Sequence, residues 1–278
     1  MTTLVSLEMQ KMFRKTRTYI GFIAIAVLVP IIQIALYYEG QGYINFATQN
    51  LKQSFMFVGN LFNGYLIGNI ILQGLFIHIP FLIVLIGGDL LAGEATAGTY
   101  RMLITRPISR FQVITSKFIA GVIYTNMLLA WLMLLSLGVS IIVFGTGELI
   151  VLKDKVYIFA ADDVLWRFFL SYGYATLSMT TVFALSYLFS SLVENAIGPI
   201  VASMAVIIIF VIISALPIEA LDVVKPFLFT NHMAEWRSFM GDPVDFESII
   251  TSGFVLLAHI VGFYLVTLYL FTKKDILT

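Results

Sequence analysis

The chain has 278 residues, of which 60% are apolar and only 12% charged, with no net charge and no cysteine. A soluble domain carries about 45–50% apolar and about 25% charged residues. The composition therefore excludes a water-soluble fold and puts most of the chain against lipid or other buried helices. The missing cysteines exclude disulfide frameworks, cysteine-based zinc sites and thiol catalysis, and the balanced charge excludes a strongly basic nucleic-acid binder.

Taken in chain order, the first element is amphipathic. Val5, Met9, Met12 and Phe13 share one helical face, and Glu8, Lys11, Arg14 and Lys15 lie on the other. That pattern predicts a helix over about 3–16 lying on a membrane surface, with a disordered basic tail as the alternative. The polar stretch before the first apolar run, and the length of that run, argue against a cleavable signal peptide. Charge-free runs then predict six spanning helices over about 18–38, 64–88, 118–144, 167–190, 196–217 and 249–271. A helix needs about 20 residues to cross the hydrocarbon, and backbone groups in lipid must be paired internally, which favours helices. The short alternating segments of a β-barrel are absent from the sequence.

Several stretches modify this scheme. The apolar run ahead of the second span is too long for one crossing, and Leu51, Phe55, Val58 and Phe62 form a stripe that predicts an interfacial helix leading to Gly64. Gly64-x-x-x-Gly68 permits two helices to approach closely. A very short turn at 190–195 joins the fourth and fifth spans, and an outer segment covers 218–248. Polar residues within the spans include Gln33, Asn69, Gln73, Asn126, Thr176, Thr180 and Thr181, besides His78 and His259; hydrogen bonding between helices is their favoured reading.

Basic residues set the orientation. With the N-terminus inside, ten of the 16 Lys and Arg fall inside and six outside, and the loop charges are +5 inside and −5 outside. Both termini are thus expected on the cytoplasmic side. No Gly-Lys phosphate-binding loop, His-Glu-x-x-His zinc motif or Gly-x-Ser-x-Gly elbow occurs. No ionisable group other than histidine lies inside a charge-free run, which argues against a proton-coupled carrier.

The most informative stretch is the coupling region 89–117 between the second and third spans. Helix formers from Glu94 to Leu103 are interrupted at Gly98, Pro107 stops the segment, and Ser109-Arg110-Phe111-Gln112 fits a capping box opening the next helix. A short helix across the inner surface follows, flanked by Arg101, Arg106 and Arg110. Glu94, Gly98-Thr99, Leu103, Pro107, Ser109-Arg110 and Lys117 together resemble the signature of ABC-2 type transporter permeases.

The resemblance implies an all-α integral membrane protein: a single transmembrane domain over 1–278 with an amphipathic elbow helix, six spans and both termini cytoplasmic. It implies that the 89–117 stretch carries a coupling helix docking onto a separate ATPase subunit, with Glu94, Gly98, Thr99, Arg101, Leu103, Pro107, Ser109 and Arg110 at or beside that surface. Glu94 and Arg101 would make polar contacts, Gly98 would allow close backbone approach, and Pro107 would fix the exit. Ser190-Ser191 with Glu194-Asn195 resembles the short second cytoplasmic contact, adding Glu194 to the set.

The function implied is the permease subunit of an ATP-binding cassette exporter in a prokaryotic cytoplasmic membrane. The chain would not be an enzyme by itself. It would pair with a second permease copy or a paralogue and with two ATPase subunits, which bind the ATP and magnesium. A non-transporting membrane scaffold of an ABC-like complex and an ion-coupled carrier are the alternatives. Nucleic acid is not an expected partner.

Overall fold

The computed structural model describes residues 1–47, 49, 61–99, 108–152 and 155–273. The chain runs through α1 (Thr2–Phe13), α2 (Thr16–Ala47), α3 (Gly64–Phe76), α4 (Ile79–Thr96) and α5 (Arg110–Met133). A π-helical turn, Leu134–Val139, continues α5 into α6 (Ser140–Phe144). A two-stranded antiparallel hairpin follows, β1 (Leu149–Leu152) and β2 (Val156–Phe159), in which Leu149 pairs with Phe159 and Leu152 with Val156. Then come α7 (Leu165–Leu192), α8 (Ile197–Ala215), the short α9 (Glu219–Asp222) and α10 (Phe229–Met233), a 3₁₀ segment Ala234–Met240, and α11 (Phe246–Lys273).

Among the described residues six helices are long and apolar enough to cross a bilayer: Thr16–Gly40, Ile79–Thr96, Arg110–Phe144, Leu165–Leu192, Ile197–Ala215 and Phe246–Lys273. Where the sequence suggests one second span over about 64–88, the structure has α3 and α4 end to end, interrupted at Ile77 and His78. Pro80 supplies the cause. It has no N–H to give and its ring crowds the preceding turn, so it sits at the start of α4, where neither is needed. The first span also runs on past Glu39 as helix to Ala47. A charge ends an apolar run in sequence, but it does not end a helix. The interfacial helix expected from Leu51 to Phe62 lies almost wholly outside the described residues.

α7 is the packing axis. Its Phe168, Tyr172, Met179, Phe183 and Tyr187 are buried, and α4, α5 and α11 lie against it. Small residues set the separations. A Cβ on Gly87 would stand 2.9 Å from Ser186 of α7, and one on Gly88 would stand 2.8 Å from Ile200 of α8. At Gly64 it would be 2.5 Å from the Ser140 carbonyl oxygen, so the Gly64-x-x-x-Gly68 pair does mark a close approach, of α3 to the π-helical turn and α6. By contrast, α8, α11 and α2 turn most of their apolar surface outward, Val201, Phe254 and Ile31 among it. Burial of an apolar face in lipid accounts for such helices.

The polar residues of the spans behave unevenly. Gln33 bridges helices, donating to the Leu135 carbonyl and to Ser140, both at 2.9 Å. Thr176, Thr180, Thr181 and Asn126 instead bond carbonyls four residues back in their own helices. His78 and His259 likewise pair with the Gly74 and Val255 carbonyls of their own chain segment. The histidine that does join elements is His232, between the Pro226 carbonyl at 2.8 Å and Ser252 of α11 at 2.9 Å.

The two ends of the bundle differ. α1, the start of α2, the ends of α4, α7 and α11 and the starts of α5 and α8 gather at one end, here the α1 end. The hairpin and the segment from α9 to Met240 cap the other. There Arg167, in the first turn of α7, donates to the Phe239 and Gly241 carbonyls at 2.9 and 2.8 Å and pairs with Asp163 at 2.8 Å. Its guanidinium lies 4.2 Å from the Phe159 ring centre, which joins the hairpin, α7 and the 3₁₀ segment.

Candidate functional site

The chemistry-bearing residues concentrate at the α1 end, around the exit of α4 and the entry to α5. Glu94 sits in the last turn of α4, its side chain 13% exposed. It accepts from Lys117 of α5 at 2.9 Å, lies 3.7 Å from Lys11 of α1, and accepts the Thr99 hydroxyl. Lys117 is 2% exposed and also donates to Glu8 of α1 at 2.6 Å. An ammonium has three donors and no acceptor, so a lysine buried here requires several acceptors. Two carboxylates from two different helices provide them. The clasp Glu8–Lys117–Glu94 therefore ties α1, α4 and α5 together.

α4 ends in a built turn. Gly98 has φ +65°, its N–H bonds the Ala95 carbonyl at 3.0 Å, and the Thr99 N–H bonds the Glu94 carbonyl at 3.0 Å. That crossed pair is a Schellman motif, which calls for glycine at the left-handed position. A Cβ at Gly98 would meet no atom of the described residues within 4 Å; the demand here is for the dihedral angle, whereas sequence reasoning pointed to close backbone approach. Ser109 opens α5, accepting from the Gln112 N–H at 3.2 Å while Gln112 accepts from the Ser109 N–H at 3.0 Å, the expected capping box. Arg110 reaches the Thr272 and Phe271 carbonyls of α11 at 2.9 and 3.3 Å, where a cation satisfies carbonyls left unpaired at a helix end. Glu194 is exposed, and its carbonyl accepts the Thr96 hydroxyl at 2.8 Å. Arg101, Leu103 and Pro107 lie outside the described residues.

The structure thus gathers Glu94, Thr99 and, through Thr96, Glu194 at one corner, with Ser109 and Arg110 at the far side of the same connection. Ser190 stitches α7 to α4 there: its hydroxyl donates to the Gly88 carbonyl at 2.6 Å and accepts from the Ala92 N–H at 2.9 Å. Sequence reasoning missed Glu8, Lys15, Arg17 and Asp89 as members of this cluster. Asp89 accepts from Lys15 at 2.7 Å and from Arg17 at 3.0 Å. The polar face of α1 does not all point to water, since Glu8 is buried against Lys117. A lone cation at the edge of an apolar run, Lys117 just before Phe118, was the available signal, because a charge so placed needs a partner. Lys11 is held above its usual pKa of 10.5: burial opposes its charge, but the pair with Glu8 and the nearby Glu94 outweigh it. Among the described residues no group of three His, Asp or Glu side chains is placed to hold a metal ion.

The apolar spans and the charge clasp at one end define the class, a multi-pass α-helical membrane protein. Within that class, residues 3–276 match the family described as ABC-2 family transporter protein. The chain belongs to that family. It is also 26% identical over 214 residues to the uncharacterized protein YhcI of Bacillus subtilis (strain 168), a match covering 74% of this chain and 65% of that protein. The chain thus spans less than two thirds of the length of this relative.

Proposed function

We propose that this chain is the permease subunit of an ATP-binding cassette exporter in a prokaryotic cytoplasmic membrane, with its α1 end facing the cytoplasm. ATP and magnesium are held by a separate ATPase, two copies of which serve a pair of permeases formed with a second copy or a paralogue. The observation that carries the reading is the linkage across the 89–117 connection. That connection leaves α4 through the Schellman turn at Gly98 and enters α5 through the Ser109 capping box, and its two flanks are pinned together by Glu94 and Lys117. A push on the intervening segment then moves α4 and α5 together and, through Glu8, α1 with them. Coupling of this kind requires that ATP favour one arrangement over the other, and rigid-body shifts of packed helices are the expected response. Exposed Glu194, one hydrogen bond away through Thr96, is the second contact.

The test is purification of the tagged chain from its native membrane in mild detergent, for the parent and for Glu94→Ala combined with Arg101→Ala. The parent is expected to bring down a nucleotide-binding subunit whose ATP turnover rises on assembly, and the double variant to lose that stimulation. Because Glu94 also holds Lys117, Arg101→Ala alone is the variant expected to lose stimulation with a parent-like thermal transition. A parent recovered intact with no nucleotide-binding partner overturns the permease reading. Normal assembly and turnover in the variant overturn the assignment of the contact.

A further inference from the structure

Two adjoining cavities of about 390 and 420 Å³ open at the α1 end. They share Arg14, Lys15, Arg17, Asp89, Gly93 and Ala97, and so form one trench between the α1–α2 turn and the last turns of α4. Its charge is unbalanced. One part presents Arg14, Lys15 and Arg17 against a single carboxylate, Asp89; the other adds Lys11 and Lys117 against Glu8 and Glu94. Asp89 engages one nitrogen of Lys15 and one of Arg17, which leaves each with further donors and leaves their side chains 46% and 54% exposed. The Arg14 side chain is exposed and makes no hydrogen bond or ion pair among the described residues. Met12, Ile86 and Leu90 supply an apolar wall beside these cations.

We propose that this trench is a phosphate-binding site whose ligand is the headgroup of an anionic lipid. The first span begins at Thr16 and the second ends at Thr96, both residues flanking the trench, so it lies at the depth where helices leave the hydrocarbon and lipid phosphates sit. A guanidinium fork matches phosphate geometry, and basic pockets between spanning helices recognise anionic headgroups. Asp89 holds Lys15 and Arg17 in place, Arg14 supplies the uncommitted charge, and the apolar wall receives the glycerol end of the lipid. Free phosphate is the other source of the same chemistry. The inference is independent of any pairing with an ATPase.

Native mass spectrometry of the full chain, titrated with phosphatidylglycerol or phosphatidylcholine, tests it. Arg14→Gln is the informative variant, because this side chain makes no hydrogen bond or ion pair among the described residues. Lys273→Gln removes an exposed cation from the same end but outside the trench. A cation near anionic lipid contributes about 1 kcal/mol, so Arg14→Gln is expected to weaken phosphatidylglycerol retention about fivefold, with Lys273→Gln and phosphatidylcholine binding unchanged. Millimolar inorganic phosphate that raises the melting temperature of the parent but not of Arg14→Gln, with no preference for phosphatidylglycerol, keeps the phosphate site and assigns it to the soluble ion. Equal retention by both variants, with no phosphate effect, overturns the proposal.

Discussion

Among the described residues each end of the bundle buries one cation, and the two are satisfied in different ways. Lys117 at the α1 end is held by two carboxylates on two other helices, Glu8 and Glu94. Arg167 at the hairpin end is held by two backbone carbonyls, one half-exposed carboxylate and an aromatic ring. The contrast follows from the donors. An ammonium is a compact point charge whose partners are interchangeable, whereas a guanidinium is a planar fork that fixes the geometry of what it touches. A carboxylate on a side chain can change partners when helices shift, and Lys117 already shares Glu8 and Glu94 with Lys11. A backbone carbonyl moves only with its chain. The contacts at the α1 end can therefore exchange partners among side chains, whereas those at the hairpin end are tied to the backbone.

The sharpest way to break this comparison is to remove each cation in turn. Lys117→Met leaves Glu8 and Glu94 facing each other in a buried site, and breaking a buried pair by deleting one partner costs about 3–5 kcal/mol. Loss of most folded protein is expected, measured by size-exclusion yield and thermal unfolding in detergent. Adding Glu8→Gln and Glu94→Gln to Lys117→Met is expected to restore much of the yield, because no buried charge is then left unpaired and the half-exposed Lys11 turns to water. Failure of this rescue would mean that the ammonium holds the fold by something other than its two carboxylates. Arg167→Ala is expected to do less. It strands the Phe239 carbonyl at a cost of about 1–3 kcal/mol, while the half-buried Gly241 carbonyl and Asp163 turn to water. No neutralising substitution at Asp163 should rescue it, since the lost partners are backbone.

How much of this was legible in sequence depends on the physics of each feature. Spans are written in composition, because a lipid-facing helix must be apolar over its whole length; among the described residues six helices are long and apolar enough to cross, although the second run divides into α3 and α4. The Ser109–Gln112 capping box was legible because it is local, a side chain bonding backbone three residues away. The α3–α4 break was less so: Pro80 is visible, but whether a proline kinks a span or opens a new helix depends on the neighbours that pack there. The clasp was not legible, because Glu8 and Lys117 are 109 residues apart in the chain and periodicity says nothing about which faces meet. For the same reason the charged face of α1, set opposite its apolar stripe, turns inward at Glu8. The β1–β2 hairpin was missed because it is short and its residues fall outside the apolar runs.

The smallest expected effect is on pH dependence, and it separates the ends by the sign of the charge that titrates. At the hairpin end, hydrogen bonds from Trp166 and Arg167 hold the Asp163 carboxyl below its usual value of 3.8. A depressed acid contributes stability that is present above the usual pKa and is lost as pH falls through the lowered one. At the α1 end the shift is the reverse. The Lys11 ammonium is raised above 10.5, so its contribution is complete below that value and disappears as pH rises through the raised pKa. Both side chains are well exposed, and solvent screening keeps each contribution small. Melting temperature followed against pH is expected to show Asp163→Asn merging with the parent at the acid limb and remaining apart from it at the alkaline limb, where Lys11→Gln merges instead. If Asp163→Asn also merges with the parent at the alkaline limb, the two ends share a titrating network, and their separation fails.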